Sequence, residues 1–190
     1  MIRLYKAFID EIGNTEYEAE YKRLSEKARL RIDSINATDS RKSSLLGSIL
    51  LRKGIKELFG VEDYEVSYTE NGKPTLDFCK FSISHTKGLC VCAFSDTEIG
   101  IDAEQVRDIK RHDSYRFFTP READYVNEDN AMLEHRFVEL WTRKESYVKM
   151  LGGTMSKNGG TDVLDGTVGC IFSRADFDNF IITVCEKQKK

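Results

Sequence analysis

The sequence predicts an α+β protein made of two closely joined lobes. Helical and strand-like segments interleave in both halves of the chain, as expected when each half packs helices against its own sheet. The 190 residues are 40% hydrophobic and 11% aromatic, which is sufficient for a core without disulfides or a structural metal. No internal repeat, low-complexity stretch or change in composition marks a flexible linker between the halves.

The composition argues against several classes of function. A formal net charge of −3 disfavours a general nucleic-acid binder, although local basic clusters can still hold phosphates. The five cysteines are odd in number and contain no CxxC pair, so we expect reduced, mostly buried thiols in a cytoplasmic protein. Residues 1–6 begin like a strand, and the absence of a long uncharged apolar run predicts neither a signal peptide nor a membrane helix.

Two helices dominate the first half. Residues 16–35 are charged and carry apolar residues at helical spacing, which predicts one amphipathic helix. A second helix with a wide apolar face begins after Asp39 and ends near Gly60. The next segments show strand and turn patterns: a strand at 64–68, a turn at 71–74, and a strand at 81–84 that leads to His85.

The second half begins with a predicted β-hairpin. Residues 89–94 are nearly all apolar and residues 99–104 alternate, with a polar turn between them. Thr119, Pro120 and Glu122 form the pattern of a capped helix start. The remaining elements follow from periodicity and stop signals: a helix over 137–151 that ends at Gly152-Gly153, then strands near 168–172 and 180–184.

Three acidic residues are candidates for a metal site. Asp102 and Glu104 are two apart on a predicted strand, so both side chains point to the same face about 6 to 7 Å apart. Mg²⁺ uses one or two carboxylates and completes its shell with water and substrate phosphates. Glu145 on the long helix completes the set if that helix crosses the strand. The alternatives are a solvated strand face and an ordinary Glu145–Lys149 surface pair, worth a few tenths of a kcal/mol.

Five short blocks resemble, in order, the Sfp-type 4'-phosphopantetheinyl transferase family. The two most specific are G-I-D-A-E at 100–104 and the W-x-x-K-E-x-x-x-K pattern at 141–149. The others are the segments 45–47, 71–74 and 81–85. The resemblance implies two similar α/β lobes, residues 1–96 and 97–190, which form an intramolecular pseudo-dimer with the active site in the cleft between them. A monomer is then sufficient.

The resemblance also implies an activity. It is transfer of the 4'-phosphopantetheine group of coenzyme A to a serine of an apo acyl or peptidyl carrier protein, with Mg²⁺ and release of 3',5'-ADP. Such an enzyme is a holo-[acyl-carrier-protein] synthase. Which carrier and pathway it serves is not encoded in these motifs.

Roles for single residues in the chemistry follow from the resemblance. Asp102, Glu104 and Glu145 are expected to hold Mg²⁺ against the pyrophosphate, while Lys144 and Lys149 neutralise the phosphates. The catalytic residues are then Glu145 and Lys149. Glu145 is the candidate base for the serine proton, either directly or through a water on the metal.

Coenzyme A contacts are expected from four residues by the same resemblance. Lys73 and Pro74 lie beside the adenine, and Ser84 and His85 contact phosphates of the 3'-phosphoadenosine part. Family members place a basic residue before the Leu-Leu-Gly segment to grip the 3'-phosphate. Strict alignment puts a serine there in this chain, so Arg41, slightly upstream, is the nearest candidate.

A carrier protein that is acidic around its serine needs a basic and apolar docking surface. We expect it in the segment after the second acid, formed by Arg107, Lys110, Arg111, Arg116, Phe117 and Phe118. The alternative for this segment is a solvated loop. Two other functions remain open: a metal-dependent phosphotransferase that uses a different nucleotide, and a non-catalytic homologue that binds carriers or coenzyme A.

Overall fold

Two three-stranded antiparallel sheets, each packed against one long helix, form the fold of the computed structural model, which describes residues 1–167 and 169–189. In the first half the elements are β1 (Arg3–Phe8), α1 (Asn14–Arg23), α2 (Glu26–Asp33), α3 (Thr38–Phe59), β2 (Ser67–Tyr68), β3 (Pro74–Thr75), β4 (Lys80–Thr86) and β5 (Leu89–Ser95). In the second half they are β6 (Ile99–Gln105), α4 (Arg111–Phe117), α5 (Pro120–Asn127), α6 (Leu133–Leu151), α7 (Met155–Asn158), β7 (Cys170–Phe177) and β8 (Phe180–Lys187). The predicted α+β class is confirmed.

The strand order corrects the predicted hairpin. The first sheet has the order β1-β5-β4 and the second β6-β8-β7, so β5 and β6 belong to different sheets. Lys87 and Gly88 adopt φ values of 41° and 82° between β4 and β5. Two successive left-handed residues suit a tight hairpin turn, so β5 folds back on β4. Since β1 occupies the other edge of β5, no edge remains for β6.

The predicted first helix is two helices. Leu24 adopts an extended conformation, and the Ser25 hydroxyl accepts a hydrogen bond from the backbone N–H of Ala28, which starts α2 as a new helix. The predicted single helix over 16–35 is therefore wrong at this point. The amphipathic pattern spans both helices because both pack toward the same core.

Most of the helix signals are confirmed. Gly60 and Gly152 adopt left-handed φ values of 68° and 67° and end α3 and α6. The Thr119 hydroxyl and the Glu122 carboxylate form the reciprocal cap of α5. The predicted strand at 64–68 is reduced to β2, α4 and α7 had no clear sequence signal, and Val168, in the predicted strand 168–172, lies outside the described residues.

The strand β5 is buried on both faces, which explains its continuous apolar sequence. One face packs on α3, and the other packs on the second sheet. Toward α3 it presents Cys90, Cys92 and Phe94. Toward β6 and β8 it presents Leu89, Val91 and Ala93. The two halves thus share a hydrophobic cluster between their sheets.

The prediction of mostly buried thiols is confirmed for the described residues. All five are free thiols, and four of them are buried. Among the described helices none is both long enough and apolar enough to cross a membrane.

Candidate active site

The helix α6 lies directly against β6 at Gly100. A Cβ atom at this position would come within 1.9 Å of the Ser146 carbonyl oxygen and 2.4 Å of the Met150 amide nitrogen. No side chain other than the hydrogen of glycine permits this approach. Because Gly100, Asp102 and Glu104 share one face of β6, the contact brings the last turns of α6 over both acids.

Asp102 is the buried centre of the site. Its Oδ1 accepts hydrogen bonds from Lys149 Nζ at 2.6 Å and from Ser84 Oγ at 2.7 Å. Lys149 Nζ also donates to Ser84 Oγ at 3.0 Å. The other oxygen, Asp102 Oδ2, is buried and has no hydrogen-bond partner among the described residues. A buried carboxylate oxygen without a partner is costly, so this atom requires a ligand such as a cation or a water.

The negative charge of Asp102 acts on both Glu104 and Glu145. Burial raises the pKa of Glu104, and the negative charge of Asp102 raises it further. Burial likewise raises the pKa of Glu145, which the charges of Asp102 and Glu104 also raise and Lys149 lowers. The three carboxylates repel one another in a partly dry environment, and a bound cation would relieve that repulsion.

The donor set suits Mg²⁺, although the residues are not arranged as a finished metal site. Within 1–167 and 169–189 no group of three or more His, Cys, Asp or Glu side chains is placed to hold an ion by itself. Mg²⁺ commonly takes most of its ligands from water and substrate phosphates. Asp102 Oδ2 is an oxygen that no described residue hydrogen-bonds, and two further carboxylates share its surroundings, so the residues present fit a substrate-completed site.

Lys144 does not lie in this site, contrary to its expected role at the phosphates. Its side chain is fully buried, and Nζ contacts Glu122 Oε2 at 2.8 Å. Nζ also donates to the carbonyl oxygens of Gly159 and Thr161 at 2.7 and 2.8 Å, so all three N–H donors have partners. Consecutive helical residues point about 100° apart, so Lys144 and Glu145 cannot face the same neighbour. Glu145 and Lys149, four apart, share the face toward β6.

His85 lines a cavity of about 600 Å³ beside the acids. The β4–β5 turn and the first turns of α3 form much of its wall, including Thr86, Ser40 and Ser43. Burial lowers the pKa of His85, and the positive charge of Lys149 lowers it further, so the imidazole is neutral at pH 7. A neutral imidazole can still donate one hydrogen bond to an anion, and it gains a proton when a phosphate raises its pKa.

The guanidinium of Arg41 is used elsewhere. It donates to the carbonyl oxygens of Ile35 and Asp33 near the C-terminal end of α2. Arg41 is not among the residues that line the His85 cavity, whereas Ser40 and Ser43 are. The structure therefore brings His85 to this cavity without the basic residue that the sequence suggested.

Lys73 and Pro74 line a second cavity of about 500 Å³. The ammonium of Lys73 points away from bulk solvent and donates to the carbonyl oxygens of Ile99 and Met150, each at 3.2 Å. Burial lowers the pKa of Lys73. A cation at the last carbonyls of a helix is favourable, so Lys73 stabilises the C-terminal end of α6 from the other half of the chain.

Thr86 is a site residue that the sequence analysis missed. Its Oγ1 donates to Glu104 Oε2 at 2.8 Å. The available signal was the alternation of hydroxyl side chains on β4, where Ser82, Ser84 and Thr86 occupy every second position. The alternation alone does not identify the partners of these hydroxyls, because the sequence does not show that β6 lies beside β4.

The expected docking segment contains the short helix α4 instead of a loop. Its outer surface exposes Tyr115 and Phe117, at 60% and 38% of their areas, next to Arg116. Lys110 and Arg111, just before and at the start of α4, are also exposed. Phe118 does not belong to this surface. It is buried, with its ring 4.9 Å from that of Phe137.

Comparison with known proteins relates this sequence to one class. The family model of the 4'-phosphopantetheinyl transferase superfamily matches residues 98–189, the half that contains all three acids and Lys149. The second half of the chain is therefore similar to this superfamily.

Individual relatives support the same class. The chain is 34% identical over 135 residues to the 4'-phosphopantetheinyl transferase gsp of Aneurinibacillus migulanus, covering 68% of this chain and 56% of gsp. It is 28% identical over 162 residues to the 4'-phosphopantetheinyl transferase Sfp of Bacillus subtilis (strain 168), covering 82% and 72%. It is 32% identical over 146 residues to the 4'-phosphopantetheinyl transferase HetI of Nostoc sp., covering 70% and 62%. The chain thus spans little more than half the length of gsp.

Proposed function

We propose that this protein transfers the 4'-phosphopantetheine group of coenzyme A to a serine of an apo acyl or peptidyl carrier protein, with Mg²⁺ and release of 3',5'-ADP. The observation that carries the proposal is the buried oxygen Asp102 Oδ2, which has no hydrogen-bond partner in the described part of the chain and is set beside Glu104, Glu145 and Lys149. Gsp, Sfp and HetI bear the name of this activity.

In the proposed reaction the serine hydroxyl oxygen attacks the β-phosphorus of coenzyme A. The new O–P bond forms as the bond between that phosphorus and the bridging oxygen breaks, and the bridging oxygen leaves with 3',5'-ADP. Asp102, Glu104 and Glu145 would hold Mg²⁺, which when bound stabilises negative charge on the pyrophosphate oxygens. Positioning and electrostatics supply most of the catalysis in such transfers.

Lys149 is well placed to neutralise a phosphate. Its ammonium is anchored by Asp102 and Ser84, which use two of its three N–H donors. The side chain is 31% exposed, so the ammonium is within reach of an incoming anion. The anchoring fixes the direction of its charge before the substrate binds, which reduces the cost of reorganisation during the reaction.

Glu145 is the proposed acceptor of the serine proton. Burial raises its pKa, and a carboxylate with a raised pKa is a stronger base at neutral pH. It occupies the helix face turned toward Asp102 and Glu104, beside the phosphorus that would be attacked. The proton therefore leaves the serine toward a group of the protein that is already within the site.

Coenzyme A is proposed to extend along β4. His85 would receive the 3'-phosphate in the first cavity, and Pro74 would line the region for the adenine in the second. Ser84 lies between these two regions and is bonded to Asp102. Lys144 and Arg41 have no part in this proposal, because their cationic groups are already bonded within the protein.

We also propose that the two halves are the lobes of an intramolecular pseudo-dimer divided near Asp96, which would make a monomer sufficient. What supports this is the shared connectivity of the two sheets. In each half the first strand of the sheet pairs with the last, and a long helix precedes the hairpin that the second and last strands form. The carrier protein would dock on α4, where Lys110, Arg111 and Arg116 flank exposed Tyr115 and Phe117.

The test is mass spectrometry of purified apo-carrier proteins incubated with this protein, coenzyme A and Mg²⁺, with EDTA in a parallel sample. The expected result is a metal-dependent gain of about 340 Da on the carrier, the mass of one phosphopantetheine group displaced from the pyrophosphate. Glu145→Gln should abolish the gain, and Glu134→Gln, in the first turn of the same helix, should not.

Other outcomes would redirect the assignment. Binding of coenzyme A without any gain of mass on several carrier types would favour a non-catalytic binding module. Stronger binding of another nucleotide than of coenzyme A would favour a different phosphotransferase. Near-normal transfer by Glu145→Gln would contradict both proposed roles of Glu145.

A further inference from the structure

The strand β4 presents a row of hydroxyl groups to β6. Ser82 Oγ accepts a hydrogen bond from the backbone N–H of Ile101 at 3.1 Å. Ser84 Oγ donates to Asp102 Oδ1 at 2.7 Å, and Thr86 Oγ1 donates to Glu104 Oε2 at 2.8 Å. The three hydroxyls occupy alternate positions and therefore the same face of β4.

This row crosses from one half of the chain to the other. β4 belongs to the first sheet and β6 to the second, so each bond joins the two halves. The two strands run in the same direction, because residues 82, 84 and 86 of β4 bond in order to residues 101, 102 and 104 of β6. Two of the three bonds end on carboxylates proposed as metal ligands. The first half thus orients acids that the second half supplies.

Among the three hydroxyls, the effect of removing that of Thr86 is the simplest to interpret. Ser84 is shared between Asp102 and Lys149, so its removal disturbs two charged groups at once. Thr86 donates to Glu104 and also lines the cavity that contains His85. It lies at the border between the acids and the region proposed for the 3'-phosphate.

We infer that Thr86 is a positioning residue that orients Glu104 for the divalent cation. Its hydroxyl donates a hydrogen bond to Oε2 of Glu104. This bond restricts the carboxylate to an orientation beside Asp102. Groups that hydrogen-bond to a metal ligand fix its direction, and their loss typically weakens metal binding by 10- to 100-fold. The inference rests on the proposed function, because it takes Glu104 as a ligand of Mg²⁺.

The experiment compares the full chain with Thr86→Val and Thr86→Ser in calorimetric titrations with Mg²⁺, in the presence of coenzyme A and without a carrier, so that no turnover occurs. Valine keeps the shape of threonine and removes the hydroxyl, whereas serine keeps the hydroxyl. We expect Thr86→Val to weaken Mg²⁺ binding by about 10-fold or more and Thr86→Ser to stay within about 2-fold of the wild type. Thermal unfolding without metal checks that each variant is folded, and Thr86→Ala replaces Thr86→Val if valine prevents folding.

A double-mutant cycle tests whether the effect passes through Glu104. In a Glu104→Gln background, Thr86→Val should cause little further loss of Mg²⁺ affinity. Unchanged Mg²⁺ affinity of Thr86→Val, or an equal loss in both backgrounds, would overturn the inference while leaving the transferase proposal intact. A wild-type protein that neither binds Mg²⁺ nor modifies a carrier would overturn both.

Discussion

Lys149 Nζ lies 2.6 Å from Asp102 Oδ1 and so joins the last turns of α6 to the centre of β6. The pair satisfies one oxygen of a buried carboxylate and leaves the other, Oδ2, without a partner among the described residues. Oδ1 of Asp102 thus holds the two elements together, and Oδ2 remains available for a ligand.

The two lysines of α6 should respond differently to removal of their charge. Lys149→Met is expected to reduce phosphopantetheine transfer by about 100-fold or more, the usual cost of losing one preorganised group that stabilises transition-state charge. Lys144→Met should mainly reduce stability, by about 3–5 kcal/mol, because it leaves Glu122 buried without its cation. Urea unfolding and single-turnover transfer assays measure both effects. An unchanged free energy of unfolding in Lys144→Met would contradict the buried pair.

Gly100 should not tolerate even an alanine. A methyl group here would overlap backbone atoms of Ser146 and Met150, so α6 must move away from β6. We expect Gly100→Ala to lower the free energy of unfolding by about 1–3 kcal/mol and to reduce transfer as well. Gly160→Ala is the matched control, since a Cβ at Gly160 has no heavy atom within 4 Å and Gly160 lies outside the helices and strands. Equal stability of the two variants would show that the helix does not pack at Gly100 as described.

The affinity for coenzyme A should depend on pH through His85. Burial and Lys149 hold the pKa of His85 below its ordinary value of 6.5, so the free protein carries a neutral imidazole at pH 7.5. A bound phosphate stabilises the imidazolium, so binding takes up a proton and strengthens as the pH falls toward 6. Relative to His85→Gln, the wild type should gain about 3- to 10-fold in affinity over this range.

The nucleotide itself provides the control for this pH effect. 3'-Dephospho-coenzyme A lacks the group proposed to contact His85, so its affinity should change equally with pH in the wild type and in His85→Gln. Titrations with both ligands at several pH values make the comparison. A gain that is the same with and without the 3'-phosphate would place His85 elsewhere along the ligand.

Charge on α4 should control docking of the carrier. The double variant Lys110→Glu and Arg111→Glu is expected to raise the KM for an acidic carrier by about 10-fold with little change in kcat, and added salt should weaken carrier binding to the wild type. The control reverses Lys22 and Lys53, two exposed lysines of α1 and α3. If neither the charge reversal nor added salt changes the KM for the carrier, α4 is not the docking surface.

Local signals in the sequence were sufficient for much of the fold. The ends of α3 and α6 follow from glycines that adopt left-handed φ values, and the start of α5 follows from a reciprocal cap between Thr119 and Glu122. Each signal acts over a few residues of chain and needs no distant partner. Ser25 was also such a signal, and neglecting its capping hydroxyl merged α1 and α2 into one helix.

The sequence by itself therefore determined the α+β class, the ends of the main helices and the motif that carries Asp102, Glu104, Glu145 and Lys149. Tertiary structure alone decided the rest of the site. In the folded chain β5 pairs with β4, Lys144 is buried against Glu122, and Thr86 hydrogen-bonds to Glu104. These relationships depend on which surfaces meet across long stretches of chain. Pattern and spacing specify which face a side chain occupies, but the packing of whole elements decides what that face contacts.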